Sequence, residues 1–177
     1  QYNVQHMDMN GNSELTVPQN TLGAELRQLE NKQWEQITLP HTPFVEPLTV
    51  LHQWQGICYY KKKITITPEE AKKHIWIEFE GAMHLADVWI NGKHVMQHAG
   101  GYTPFVVDAT GLLKTGKENE LLVRLDNRNN SLIPPGKPLE TLDFCYYGGI
   151  YRNVHLIAKA DVHITHPILD GHPAGAG

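Results

Sequence analysis

Between Asp143 and Arg152 the chain sets an acid, three tyrosines and two adjacent glycines within one short stretch, Asp143-Phe144-Cys145-Tyr146-Tyr147-Gly148-Gly149-Ile150-Tyr151-Arg152. Aromatic faces stack on the apolar C–H faces of sugar rings. A carboxylate accepts hydrogen bonds from two hydroxyls. Asp143, Tyr146 and Tyr147 therefore have the chemistry of a sugar pocket: an apolar wall with a few placed polar groups. The same residues also fit a structural role. Phe144 and Ile150 would then sit in the core, the tyrosines would be partly buried with satisfied hydroxyls, and Asp143 would pair with Arg152 or cap a turn. Residue type alone leaves both open.

Other reactive groups point less clearly. The chain has no Gly-rich phosphate loop with its Lys, no His-Glu-x-x-His, no Cys-x-x-Cys and no Gly-x-Ser-x-Gly. Histidines number 11, so metal binding has to be weighed. His94 and His98 have zinc spacing only on a helix; on a strand four residues span roughly 13 Å. His163 and His166 have no third ligand nearby in sequence, so no metal site is expected. Cys58 and Cys145 would pair in an exported chain, but two buried free thiols are the preferred reading. Lys61-Lys62-Lys63 reads as a solvated sheet edge that resists further pairing. Asn129-Asn130-Ser131 is a glycosylation acceptor only in a eukaryotic secretory pathway.

The segment needs a scaffold, and the pattern around it is β. Ile57 to Thr67 is rich in aromatic and β-branched residues. Thr67-Pro68-Glu69-Glu70 is a capping box for a short helical turn through Lys73. His74 to Phe79 returns to strand, with Trp76 opposite Ile75, Ile77 and Phe79. Leu85 to Ile90 and Lys93 to His98 flank Asn91-Gly92, a tight hairpin turn. Pro104 to Val107 is a further strand, and Asp108 caps a turn over Ala109 to Leu113. Glu120 to Asp126 alternates, with Leu121, Val123 and Leu125 on one side and Leu122 and Arg124 on the other. Residues 127–142 form a long Asn/Pro/Gly-punctuated loop of the kind that is functional or disordered. Tyr151 to Ala158 is strand, and Val162 with Ile164 predicts another. Leu15, Val17, Leu22 and Leu26 fit one or two more in a weakly patterned N-terminal region. About eight short strands without a long amphipathic helix predict an all-β jelly-roll β-sandwich.

Composition narrows the function classes. Lys plus Arg is 15 against 19 for Asp plus Glu, a net charge of −4 that argues against a nucleic-acid grip. No apolar run approaches the roughly 20 residues of a membrane helix. No targeting segment is read at Gln1, which fits a mature end left by cleavage or a boundary within a longer protein.

At the Tyr-rich segment the sequence resembles a known family. Asp143-Phe144 followed by Tyr147-Gly148-Gly149-Ile150-Tyr151-Arg152-Asn153-Val154 is similar to the closing motif of the N-terminal sugar-binding domain of glycoside hydrolase family 2. That family includes β-galactosidases, β-glucuronidases and β-mannosidases. Leu39-Pro40-His41-Thr42, Gly56 through Tyr60 into Lys61-Lys62-Lys63, Val88 to Lys93, and Asp108 to Leu113 with Asn119 to Val123 resemble its other elements, in order. Together they cover roughly residues 35–165.

The resemblance implies a galactose-binding-domain-like jelly roll over residues 1–160. Residues 161–177 would be a linker and the start of an immunoglobulin-like domain, followed by a catalytic (β/α) barrel. It implies a retaining β-glycosidase that hydrolyses terminal β-galactosides, of the type found in gut Bacteroidetes, with this chain as a non-catalytic, inactive part. Asp143 would reach the barrel's site and, with Tyr146 and Tyr147, contact substrate. No catalytic residue, cofactor or metal is expected in this chain, although some members hold a monovalent cation at the aspartate. Expected partners are carbohydrate and the protein's own downstream domains, with no nucleic acid and no membrane, in a homo-oligomer outside the bacterial cytoplasm, periplasmic or extracellular. The alternatives are an autonomous carbohydrate-binding module or lectin, a parent acting on glucuronides or mannosides, and a structural spacer.

Overall fold

The computed structural model describes the backbone of residues 2–7, and residues 34–45, 54–138, 141, 144, 146–164 and 168. Among them are nine strands: β1 (Tyr2–Met7), β2 (Glu35–Ile37), β3 (Ile57–Ile64), β4 (His74–Phe79), β5 (Leu85–Ile90), β6 (Lys93–Ala99), β7 (Phe105–Asp108), β8 (Asn119–Asp126) and β9 (Val154–Lys159). Strands β3 to β9 form where apolar alternation and turn chemistry place them. They pair antiparallel into a six-stranded sheet of order β2-β1-β3-β8-β5-β6 and a three-stranded sheet of order β7-β4-β9. Cys58, Tyr60, Ile75, Ile77, Phe79, Ala86, Val88, Ile90, Leu121, Val123 and Leu125 belong to the shared core. Each large side chain buried there contributes about 1.5–3 kcal/mol. Phe79 and Phe105 stack at 4.6 Å across β4 and β7.

The expected local devices close the end of the sandwich remote from the Tyr-rich segment. Asn91 (φ 51°) and Gly92 (φ 78°) make the tight turn between β5 and β6. Asn91 Oδ1 accepts the Glu120 N–H, and its Nδ2 donates to Asn119 Oδ1 and the Leu112 carbonyl. The buried Asn119 amide in turn donates to the carbonyls of Ile64, Lys114 and Lys117. Asp108 Oδ1 accepts the Thr110 N–H and starts the 109–113 turn. The capping box forms too: Thr67 N–H donates to Glu70 Oε2 at 2.7 Å and Glu70 N–H to Thr67 Oγ1 at 3.2 Å. It closes a single 3-10 turn, Glu70–Lys72.

Three expectations change. Val162 and Ile164 do not extend into a strand: among the described residues 161–164 have no sheet partner, and the two side chains are 95% and 89% exposed. Polar contacts turn this segment back instead. Asp161 pairs with His74, Lys159 Nζ donates to the Ile164 carbonyl, and His163 packs on Trp76 with its Nδ1 on the Ala160 carbonyl. The lysine run does not begin at an edge, because β3 lies between β1 and β8 and β1 pairs with it as far as Lys61. Lys61 lies over Trp34, 4.3 Å from the ring centroid, and Lys63 pairs with Glu118 at the surface; long stems cover apolar surface while the ammonium groups stay wet. β1 pairs with β3, although the N-terminal region gave no strand signal at that point. Leu15, Val17, Leu22, Leu26 and His166 lie outside the described residues.

Candidate functional site

Among the described residues, the end of the sandwich opposite the Asn91 turn gathers segments 38–45 with 54–56, 80–84, 100–104, and 127–138 with 146–153. Three of the family-like segments meet there around Gly149. Its φ is +99°, a region that favours glycine. A Cβ at this position would lie 2.6 Å from the His41 carbonyl oxygen and 2.6 Å from the Tyr60 hydroxyl. The His41 N–H donates to the Ile150 carbonyl at 2.8 Å, and the His41 ring shares a hydrogen bond with the Tyr60 hydroxyl at 3.0 Å. Across the turn the Met83 N–H donates to the Gly149 carbonyl at 2.9 Å. Gly148 approaches Asn127 just as closely. Asn127 accepts the Gly56 N–H at its Oδ1 and donates from Nδ2 to the Trp54 carbonyl. Gly149 therefore lets the turn meet the His41 backbone, Gly148 lets the Asn127 side chain close in, and the turn is clamped from both sides.

This geometry divides the tyrosines. Tyr146 is 4% exposed, and its hydroxyl shares a hydrogen bond with Nδ1 of the buried His84. Its ring packs with Met83 and the half-buried Tyr151, and burial raises its phenol pKa. Tyr151 donates to the Gly101 carbonyl. Tyr147 is half-buried, Ile150 is in the core and Phe144 is exposed. The structural role thus holds for Tyr146, Tyr151 and Ile150 but not for Phe144. Arg152 lies with its guanidinium 5.7 Å from the Tyr151 ring centroid. Asp143 and Cys145 lie outside the described residues, as does any cation site at Asp143. Cys58 is buried in the core with a thiol pKa pushed up by burial.

Sequence reading missed an ion network on the far face of the six-stranded sheet. Asp87 and Arg124 are directly opposed across β5 and β8, and Asp126 shares the Arg124 face two residues on. All three are fully buried. Arg128 grips Asp126 with Nε at 2.9 Å and Nη2 at 2.6 Å, and its N–H donates to the same carboxylate at 3.1 Å. Arg124 Nη2 donates to Asp126 at 3.4 Å and its Nη1 lies 3.7 Å from Asp87. His94 Nε2 and Gln97 Nε2 both donate to Asp87 Oδ1, at 3.0 and 2.9 Å. The available signal was Asp87 itself, a charge in the middle of an otherwise apolar strand.

His84 ties pH to stability. Burial lowers its pKa from 6.5 to about 4, against the opposing pull of Asp126. The unfolded chain takes a proton near 6.5 that the folded one refuses until about 4. Its share of stability is intact above pH 6.5, drains between 6.5 and 4, and levels off below. The loss amounts to roughly 3 kcal/mol. Urea midpoints at pH 7, 5.5 and 4 should fall in this window, and His84→Gln should flatten the fall.

A model of the glycosyl hydrolases family 2 sugar binding domain matches residues 7–160. The chain belongs to glycoside hydrolase family 2. This family 2 domain is 34% identical over 153 residues to a β-galactosidase of Thermoanaerobacter pseudethanolicus, a match covering 85% of the chain and 20% of that protein. It is 38% identical over 135 residues to a β-glucuronidase of Bacteroides fragilis, covering 73% of the chain and 18% of that protein. The domain thus spans about a fifth of the length of these curated relatives. The solved β-glucuronidase of Bacteroides uniformis superposes with a TM-score of 0.65 at 28% identity, over 90% of the chain and 18% of that structure. The two-sheet sandwich is the galactose-binding-like jelly roll of family 2 sugar-binding domains.

Proposed function

We propose that this domain forms one wall of the substrate pocket in a retaining β-glycosidase acting on terminal β-galactosides. Asp143 orients the non-reducing sugar, Tyr147 and Phe144 line the rim, and a separate barrel supplies the chemistry. The observation that carries the reading is the clamp on the Tyr146–Ile150 turn. A rigidly held turn at one end of the sandwich, close in sequence to Asp143 and to the exposed Phe144, is what a positioning wall requires. Positioning raises rate by fixing a reactive geometry rather than by bond chemistry. Retaining hydrolysis itself needs two carboxyl groups about 5 Å apart across the bond, which the proposal assigns to the barrel. Residues 161–177 lead into the next domain, a placement supported by the bare Val162 and Ile164 side chains.

Galactoside preference is supported by the β-galactosidase relative, while the β-glucuronidase relative at 38% identity favours a glucuronide reading. Assay of the full-length protein on matched aryl galactoside, glucuronide and mannoside substrates separates the two. On the preferred substrate, Asp143→Ala should lower kcat/KM by tens-fold or more, about 2 kcal/mol of transition-state stabilisation, with the fold intact. A wild-type rate would remove Asp143 from the pocket. Tight sugar binding by the isolated domain in calorimetry would favour an autonomous binding module.

A further inference from the structure

Tyr146 cannot serve as a stacking wall where it stands, because almost none of its ring is exposed. Its hydroxyl is committed to His84, a residue from the loop between β4 and β5. His84 is 1% exposed, and its Nε2 has no hydrogen-bond partner among the described residues. A half-satisfied buried imidazole costs free energy that an apolar residue of similar size would not. Packing alone therefore does not explain a histidine here.

The backbone of His84 supplies an explanation. Its N–H donates to the Asp126 carbonyl at 3.3 Å and its carbonyl accepts the Gly100 N–H at 3.0 Å. Asp126 is the residue whose carboxylate holds Arg128, at the root of the long loop. Tyr146 stands where that loop returns. Both ends of the stretch between Arg128 and Tyr146 are thus fastened to one joined pair of residues, His84 and Asp126. We infer that His84 is a positioning residue for the sugar-facing turn, acting through the Tyr146 hydroxyl to fix the adjoining Tyr147. This rests on the reading of the turn as a pocket wall.

Tyr146→Phe removes only the hydroxyl and His84→Gln alters only its partner, so both variants should fold. In this chain, hydrogen exchange at the His41 and Met83 amides, which donate to Ile150 and Gly149, should quicken about tenfold in either variant. The Gly116 amide, bonded to the Ile66 carbonyl at the remote end, should not change. In the full-length enzyme each variant should raise KM about tenfold on the preferred aryl glycoside with kcat within about twofold. The double variant should be no worse than either single one, as for two groups acting as a unit. Unchanged exchange, or additive kinetic effects, would overturn the role of His84. Quickened exchange with unchanged kinetics would overturn the pocket-wall reading and reduce His84 to a structural tether.

Discussion

Gly149→Ala is expected to destabilise the domain by about 3–5 kcal/mol, close to the largest effect a single methyl group can have. Two penalties combine. The backbone at φ +99° is one that an L side chain rarely adopts. The added Cβ also meets the His41 carbonyl and the Tyr60 hydroxyl at 2.6 Å and Pro43 Cδ at 2.8 Å. Neither of the two nearest neighbours can yield cheaply. The His41 backbone is bonded to Ile150, and Tyr60 is a fully buried core residue. Gly92→Ala is the internal control. It also has positive φ, but a Cβ there meets nothing within 4 Å, so the loss should be about 1 kcal/mol. Urea denaturation of the two variants side by side measures the difference. Equal midpoints would show that the 39–43 segment does not press on the turn.

Asp126→Ala should cost a similar 3–5 kcal/mol for a different reason. The pairing of Asp87, Arg124, Asp126 and Arg128 balances two negative charges against two positive ones. Buried pairs of this kind add little net stability, since desolvation offsets attraction, but removing one partner leaves a charge stranded in low dielectric. Without Asp126, the buried Arg124 loses its 3.4 Å contact to that carboxylate and Arg128 loses its forked grip. The deficit should persist in high salt, because buried charges are screened far less than exposed ones. Lys63→Ala, which breaks an exposed pair with Glu118, should produce no measurable loss. A small, salt-sensitive effect for Asp126→Ala would mean that water reaches the network.

The sequence revealed most where the physics is local. Asn91-Gly92 announces a turn because two adjacent residues tolerate positive φ, and Thr67 with Glu70 announces a helical start because each completes the other's hydrogen bond. The alternation in β8 likewise shows which side chains enter the core. It does not show that the opposite face is buried as well, because that depends on the register that sets Asp87 against Arg124. The tyrosines taught the same lesson. Tyr146 and Tyr147 are indistinguishable by type, and only the arrival of His84 from 62 positions away assigns the first to the interior. Val162 and Ile164 misled for the converse reason, since alternation makes a strand only where another strand's edge accepts it. The family-like segments are scattered along the sequence, and their shared task, clamping Gly149, emerges only when His41, Tyr60 and Ile150 stand together.

Fastening both roots of the 128–146 stretch to a single point has an evolutionary corollary. The span between them becomes an interchangeable cassette, because its anchors keep their places whatever length is inserted. Lengthening such a loop is thermodynamically cheap, about 0.6 kcal/mol for each doubling. If the turn is the proposed pocket wall, enzymes built on this scaffold would be free to diverge in the sugars they accept by exchanging the tip while inheriting the hinge posts unchanged.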